Sequence, residues 1–134
     1  MTNEVFIVSG ARTPIGSFMG NLSSFSAPEL AAAAIQKAID TSSLEADQID
    51  EVLIGNVVSA GLKQAPARQA MRLAGIPDRC GATTINKVCG SGMKATMLAF
   101  DLIRSGSADT VLSGGMESMS NAPYLLANAR SGLR

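Results

Sequence analysis

Between Gly90 and Ser105 the chain spells a helix with almost no polar face. Lys94, Asp101 and Arg104 share one narrow stripe, while Met93, Ala95, Met97, Leu98, Ala99, Phe100, Leu102 and Ile103 fill nearly all the rest. A helix apolar almost all round is buried almost all round. It needs cover above and below, which is more protein than a two-layer domain of this size readily supplies. Gly106 closes it. Whatever this chain folds into has to be layered around that helix.

The rest of the sequence alternates between strand and helix signals. Val5-Phe6-Ile7-Val8 is a short apolar run stopped by Ser9-Gly10, which predicts a buried strand. Residues 11–25 hold Pro14, Gly16 and Gly20 and read as a loop. Ser26, Pro28 and Glu29 spell a helix start with a capping box, and Leu30, Ala34, Ile35, Ala38 and Ile39 give a core face out to about Asp40. A short helical turn follows at 43–49. A second strand is expected at 52–58. A helix opens at Pro66 and stops before Gly75 and Pro77. A third strand is expected at 83–88, just before the apolar helix, and a fourth at 109–113. Residues 116–134 have no clear period and read as loop with some helix. The class is α/β, with a mostly parallel sheet and right-handed crossovers.

Hydrophobic residues make up 46% of the 134, so the chain is globular and not disordered. Net charge is zero by count, which argues against a nucleic-acid binder. The charge is uneven: residues 1–60 carry seven acids and two bases, and residues 61–134 carry nine bases and four acids. The basic half could serve an anionic substrate or an acidic partner, but ordinary solvated charge is the simpler reading. Cys80 and Cys89 make no disulfide framework. No secretory signal is visible at the N-terminus, and no apolar run is long enough to span a membrane. A reducing compartment is expected. No phosphate-loop or dinucleotide fingerprint is present, and no metal-ligand cluster.

Cys89 stands on the turn between the third strand and the apolar helix. A thiol there feels the positive end of the helix dipole and the unpaired N–H groups of the first turn. Both favour thiolate, the nucleophilic form. The same N–H groups could hold the oxyanion formed when a thiolate attacks a carbonyl. Many free cysteines are simply buried, so position alone leaves both readings open. Gly90 and Gly92 favour the catalytic one, because they remove side chains where a ligand would approach the backbone. Cys80, after Pro77-Asp78-Arg79, reads as a structural or idle thiol. The chain contains no His, the usual base for a cysteine nucleophile, so a catalytic Cys89 would need machinery from elsewhere.

Three motifs together resemble the N-terminal part of a thiolase. They are Ser9-Gly10-Ala11-Arg12-Thr13-Pro14-Ile15-Gly16, Ile85-Asn86-Lys87-Val88-Cys89-Gly90-Ser91-Gly92-Met93-Lys94-Ala95, and Gly114-Gly115-Met116-Glu117-Ser118-Met119-Ser120. Pro66-Ala67-Arg68-Gln69 also fits, and the likeness runs along essentially the whole chain in order. Asn121-Ala122-Pro123-Tyr124 leans toward the acetoacetyl-CoA type. Ketoacyl synthases share the fold and a similarly placed Cys, but the run from Gly114 to Ser120 speaks for thiolase.

The resemblance implies an incomplete N-terminal half of the five-layered thiolase fold. Residues 1–115 would form its α/β domain, with one buried helix after the nucleophile, and residues 116–134 the beginning of the loop domain. It implies that Cys89 is the nucleophile and acyl carrier, its backbone N–H an oxyanion donor. The reaction would be acetyl-CoA C-acetyltransfer, as thiolysis or Claisen condensation. Coenzyme A would serve as substrate carrier, with no metal or other cofactor. The substrate-binding residues stay unassigned. The His, Asn and second Cys that complete such a site would lie beyond Arg134, so the isolated chain is expected to be inactive and to dimerise or aggregate. The complete enzyme would be a homodimer or homotetramer in the cytoplasm, or in a mitochondrial or peroxisomal matrix. The alternative is a non-catalytic thiolase fragment acting as an interaction module or remnant.

Overall fold

The computed structural model describes residues 4–132. Residues 1–3, which bear on the expectation about a leader, and residues 133 and 134, the end of the expected loop-domain segment, lie outside the described residues. The elements run α1 (Ala27–Thr41), β1 (Glu51–Gly55), α2 (Pro66–Leu73), β2 (Gly81–Ile85), α3 (Ser91–Arg104) and β3 (Val111–Gly115), with single 3-10 turns at Ala46–Gln48, Met119–Asn121 and Ala129–Ser131. The strands form one parallel sheet in the order β2-β1-β3. Gly55 pairs with Ile85 on one side and Gly115 on the other, so all the strands end level.

Alternation along β1 sends Val52 and Ile54 to one face and Leu53 to the other. The first face is covered by α1 and α2 through Ala27, Ala31, Ile35, Ala67, Ala70 and Met71. The alanines among them let the two helices approach closely. The second face is covered by α3 through Ala95 and Ala99. The result is helix–sheet–helix. The start of α1 follows its sequence signature: the Glu29 carboxylate accepts from the Ser26 N–H at 2.8 Å and the Ser26 hydroxyl at 2.7 Å. Pro66 opens α2, and Gly75 follows it at φ +85°.

The structure corrects all four strand expectations. First, Val5-Phe6-Ile7-Val8 forms no strand. The Ser9 hydroxyl anchors this segment to the end of α1, donating to the Ala38 carbonyl at 2.7 Å and bonding the Thr41 hydroxyl at 2.9 Å. Between it and β3 lies an apolar cavity of ≈ 450 Å³, walled by residues 5–11, by Ala34 and Ala38 of α1, by Ala99 and Phe100 of α3 and by all of β3. Among the described residues β3 pairs only with β1, so the sheet stops at this cavity. Second, β1 ends at Gly55 and not near Val58, because the Val57 and Val58 N–H groups turn to the Glu117 carboxylate. Third, β2 ends at Ile85 and not at Val88, because Asn86 Oδ1 takes the Val88 N–H and the chain turns. Fourth, β3 starts later than expected and runs on to Gly115, while the Asp109 and Thr110 N–H groups are held by the Asp50 carboxylate at 2.8 and 2.9 Å.

In this chain α3 has only one buried face. Ser91, Ala95 and Ala99 are buried, whereas Met93 (74% exposed), Met97 (53%) and Phe100 (44%) face outward. The cover that its composition calls for is therefore not supplied by residues 4–132.

Candidate active site

The candidate site is built where the strands end. An α-carbon hydrogen is all that Gly55 can present to α3. A Cβ there would lie 2.5 Å from the Ser91 carbonyl carbon and 2.6 Å from the Gly92 nitrogen. Gly115, ending β3, meets Gly92 closely but less tightly, with its Cβ position 3.3 Å from the Gly92 α-carbon. The first turn of α3 thus rests on a platform of two strand-terminal glycines. This changes the reading of Gly92: its bare face is turned toward the sheet and not toward a ligand.

Cys89 is exposed, in the turn that leads from β2 onto this platform. The turn is heavily bonded. Asn86 Oδ1 accepts the Val88 N–H at 3.0 Å, and the Gly90 N–H donates to the Lys87 carbonyl at 3.1 Å. The Ser91 hydroxyl accepts from the Lys87 N–H at 2.8 Å and donates to the Val88 carbonyl. Val88, immediately before Cys89, has φ +50°. A β-branched residue in the left-handed region is strained and stays there only if its surroundings hold it. The nucleophile candidate is therefore presented by a fixed turn at a helix start, outside the ends of parallel strands, where α/β proteins build their sites.

Cys80 is buried just before β2 and donates weakly to the Gly81 carbonyl. Burial pushes its thiol above the ordinary range, and the Glu51 and Asp50 carboxylates add to the effect. The two cysteines therefore have opposite settings, one held as thiol in the core and one displayed on a turn.

The run from Gly114 to Ser120 does two jobs. Gly115 supports α3, and Glu117 ties the loop after β1 to the loop after β3. Its carboxylate accepts from Asn56 Nδ2 at 2.8 Å, from the Val57 N–H at 3.0 Å and from the Val58 N–H at 2.9 Å. Asn56 is buried, and its Nδ2 also reaches the Met116 carbonyl at 3.3 Å. Ser118 and Asn121 hold the Phe25 carbonyl, and the Ser120 hydroxyl accepts from the Met19 N–H. Arg12, Thr13 and Pro14 line a second cleft with Glu117 and Ser118. Cys89 lines neither that cleft nor the apolar cavity beside β3.

Of the basic excess, Arg68 and Arg72 both pair with Asp78, at 3.4 and 2.9 Å. Arg68 also donates to the Asp78 and Cys80 carbonyls, stapling α2 to the turn before β2. Those two charges serve the fold. Sequence reasoning gave Gly55 and Asn56 no role beyond a strand, and it read Val88, Ser91 and Glu117 only as parts of motifs. Gly55 looked like one position within a strand, and nothing local marks its approach to Ser91.

Among the described residues no helix is long and apolar enough to cross a membrane. The family model for the thiolase N-terminal domain matches residues 5–134. A cytosolic acetyl-CoA acetyltransferase of Gibberella zeae is 50% identical over 97% of this chain and 33% of its own length. A mitochondrial acetyl-CoA acetyltransferase of Danio rerio is 53% identical over 93% of this chain and 30% of its own. The solved structure of the Acat5 thiolase from Ascaris suum in complex with coenzyme A superimposes with a TM-score of 0.90 at 43% identity, covering 92% of this chain and 32% of that one. The chain thus spans about a third of the length of the relatives it matches.

Proposed function

The chain belongs to the thiolase family through its N-terminal domain, and from that premise we propose that Cys89 is the nucleophile of a CoA-dependent acyl transfer. The observation that carries the reading is the placement of an exposed cysteine on a fixed turn at the start of α3, within the motif shared with the family. In the first half-reaction the Cys89 thiolate attacks the thioester carbonyl of acetyl-CoA. The electron pair moves to the carbonyl oxygen, where the Cys89 backbone N–H balances the charge; the Gly90 and Ser91 N–H groups are already taken by the Lys87 and Val88 carbonyls. Collapse of the intermediate expels CoA as thiolate and leaves an acetyl thioester on Cys89. In the second, the enolate of a second acetyl-CoA attacks that acetyl thioester, the Cys89 thiolate leaves and acetoacetyl-CoA forms. Thiolysis runs the reverse way, with Cys89 attacking the 3-keto carbonyl of acetoacetyl-CoA, the acetyl-CoA enolate leaving, and CoA then taking the acetyl group from Cys89.

Both half-reactions need a base, and the chain has no His. The base and the acid that protonates the leaving thiolate are assigned to the remainder of a full-length protein. The same remainder would continue the sheet past β3 and cover Met93, Met97 and Phe100. Residues 1–115 are then the N-terminal α/β domain and residues 116–134 the opening of a loop domain. Acyl-CoA and CoA are the ligands, with no further cofactor. The complete protein is a homodimer or homotetramer of the cytoplasm or an organelle matrix, in keeping with relatives named cytosolic and mitochondrial.

The test compares thiolysis of acetoacetyl-CoA by the full-length protein, its Cys89→Ser variant and the isolated chain. Activity is expected in the first alone. Turnover by the serine variant would remove Cys89 from the mechanism, and turnover by the isolated chain would overturn the assignment of the base.

A further inference from the structure

We propose that Ser91 is a positioning residue for Cys89, acting as a latch that holds Val88 in its left-handed conformation. This rests on the assignment of Cys89 as nucleophile. Val88 is the last residue before Cys89, so its φ of +50° decides where the thiol points. Left alone, a valine leaves that region, because its Cβ crowds the backbone; the relaxed conformers would prevail by roughly ten-fold.

The Ser91 hydroxyl grips Val88 from both sides. It accepts from the Lys87 N–H, on the residue before, at 2.8 Å, and donates to the carbonyl of Val88 itself at 2.5 Å. The Ser91 N–H reaches the same carbonyl at 3.1 Å. The latch has a firm base: Ser91 is only 4% exposed, and its Cβ lies 2.7 Å from where a Cβ on Gly55 would stand. The end of β1 thus fixes Ser91, Ser91 fixes Val88, and Val88 aims Cys89. An aim off by about 1 Å is enough to cost orders of magnitude in rate.

The test is a double-substitution cycle in the full-length protein. Glycine enters the left-handed region freely, so the V88G background removes the strain that the latch opposes. Two rates at Cys89 are followed by peptide mass spectrometry: single-turnover acetylation by acetyl-CoA, and alkylation by iodoacetamide across a pH series. S91A is expected to slow acetylation by roughly ten-fold with the half-saturating acetyl-CoA concentration unchanged. Relative to V88G, the V88G/S91A protein is expected to lose about two-fold or less. Alkylation is expected to follow the same pattern, with a displaced pH profile in S91A alone. If S91A does not fold while V88G/S91A folds and reacts, the latch is supported as well. An equal loss in both backgrounds, or no loss in either, overturns the proposal. If the unsubstituted protein forms no acetyl-Cys89, the proposed function fails, and the alkylation cycle still decides the role of Ser91.

Discussion

Gly55→Ala is expected to be the most damaging small substitution outside Cys89. The added methyl would lie 2.5 Å from the Ser91 carbonyl carbon, 2.6 Å from the Gly92 nitrogen and 2.7 Å from Ser91 Cβ. Ordinary contact between such atoms is about 3.5 Å, so strand and helix must part by about 1 Å. The obstacles are backbone, which cannot swing aside as a side chain can. Overpacking costs about 1–3 kcal/mol in general, and a clash with two backbone atoms sits at the upper end. With a urea slope of about 1–1.5 kcal/mol/M for a domain of this size, the midpoint should fall by about 2 M. The same displacement lifts the first turn of α3, so acetylation of Cys89 should slow by roughly a hundred-fold even where the protein stays folded. Gly92→Ala is the matched control. Its methyl would meet Gly115 at 3.5 Å, an ordinary contact, and alanine favours helix over glycine by up to about 1 kcal/mol. Urea titration of both variants decides the matter. Equal stability for G55A and the unsubstituted protein would refute the glycine platform, as would a large loss in G92A.

Glu117→Gln keeps one accepting oxygen, which can serve both Asn56 Nδ2 and the Val58 N–H, and turns an amide NH2 toward the Val57 N–H, so it should cost about 1–3 kcal/mol, read as a fall of roughly 5–15 °C in the thermal midpoint; an unchanged midpoint would dismiss the clamp. The acid limb of stability reports on Asp50 and Glu29. Hydrogen bonds from the Thr110 and Asp109 N–H groups hold the Asp50 carboxyl below its usual value, and the Ser26 hydroxyl and N–H do the same for Glu29. A depressed folded-state value means the contribution is complete above the ordinary carboxylate range near pH 4 and is lost as pH falls through the lower folded value. Asp50→Asn should therefore flatten the decline of stability below about pH 4, and an acid limb identical to that of the unsubstituted protein would contradict this.

How far the sequence announces this structure depends on how local each cause is. Ser26 and Glu29 cap α1, Pro66 and Gly75 bound α2, and Cys89 falls on the turn before α3, as their patterns predict. Each of these signals lies within a few residues of its effect. Strand ends are different, because they are set by remote partners. Glu117 stops β1 from 59 and 60 positions away, and Asp50 delays β3 across a similar gap. The Val5–Val8 run has the composition of a strand, but pairing needs an edge within reach, and here the cavity beside β3 intervenes. The apolar face of α3 points the same way. Its composition calls for a burial that residues 4–132 do not provide, so the exposure of Met93, Met97 and Phe100 is not legible in the pattern of the helix itself. Ser91 stands in the motif with no role of its own legible, because serine early in a helix is ordinary; the role proposed for it comes from the Val88 backbone angle, which no side-chain pattern encodes.

In the proposed mechanism the acyl group rides on Cys89. This is tested most directly by mixing the full-length protein with acetyl-CoA, quenching in acid within one turnover, and mapping the modified peptide by mass spectrometry. The account predicts one acetyl group in thioester linkage on Cys89, released by hydroxylamine, with Cys80 unmodified in the core. Acetyl on Cys80, or no acetylated cysteine at all in a catalytically active preparation, would contradict it.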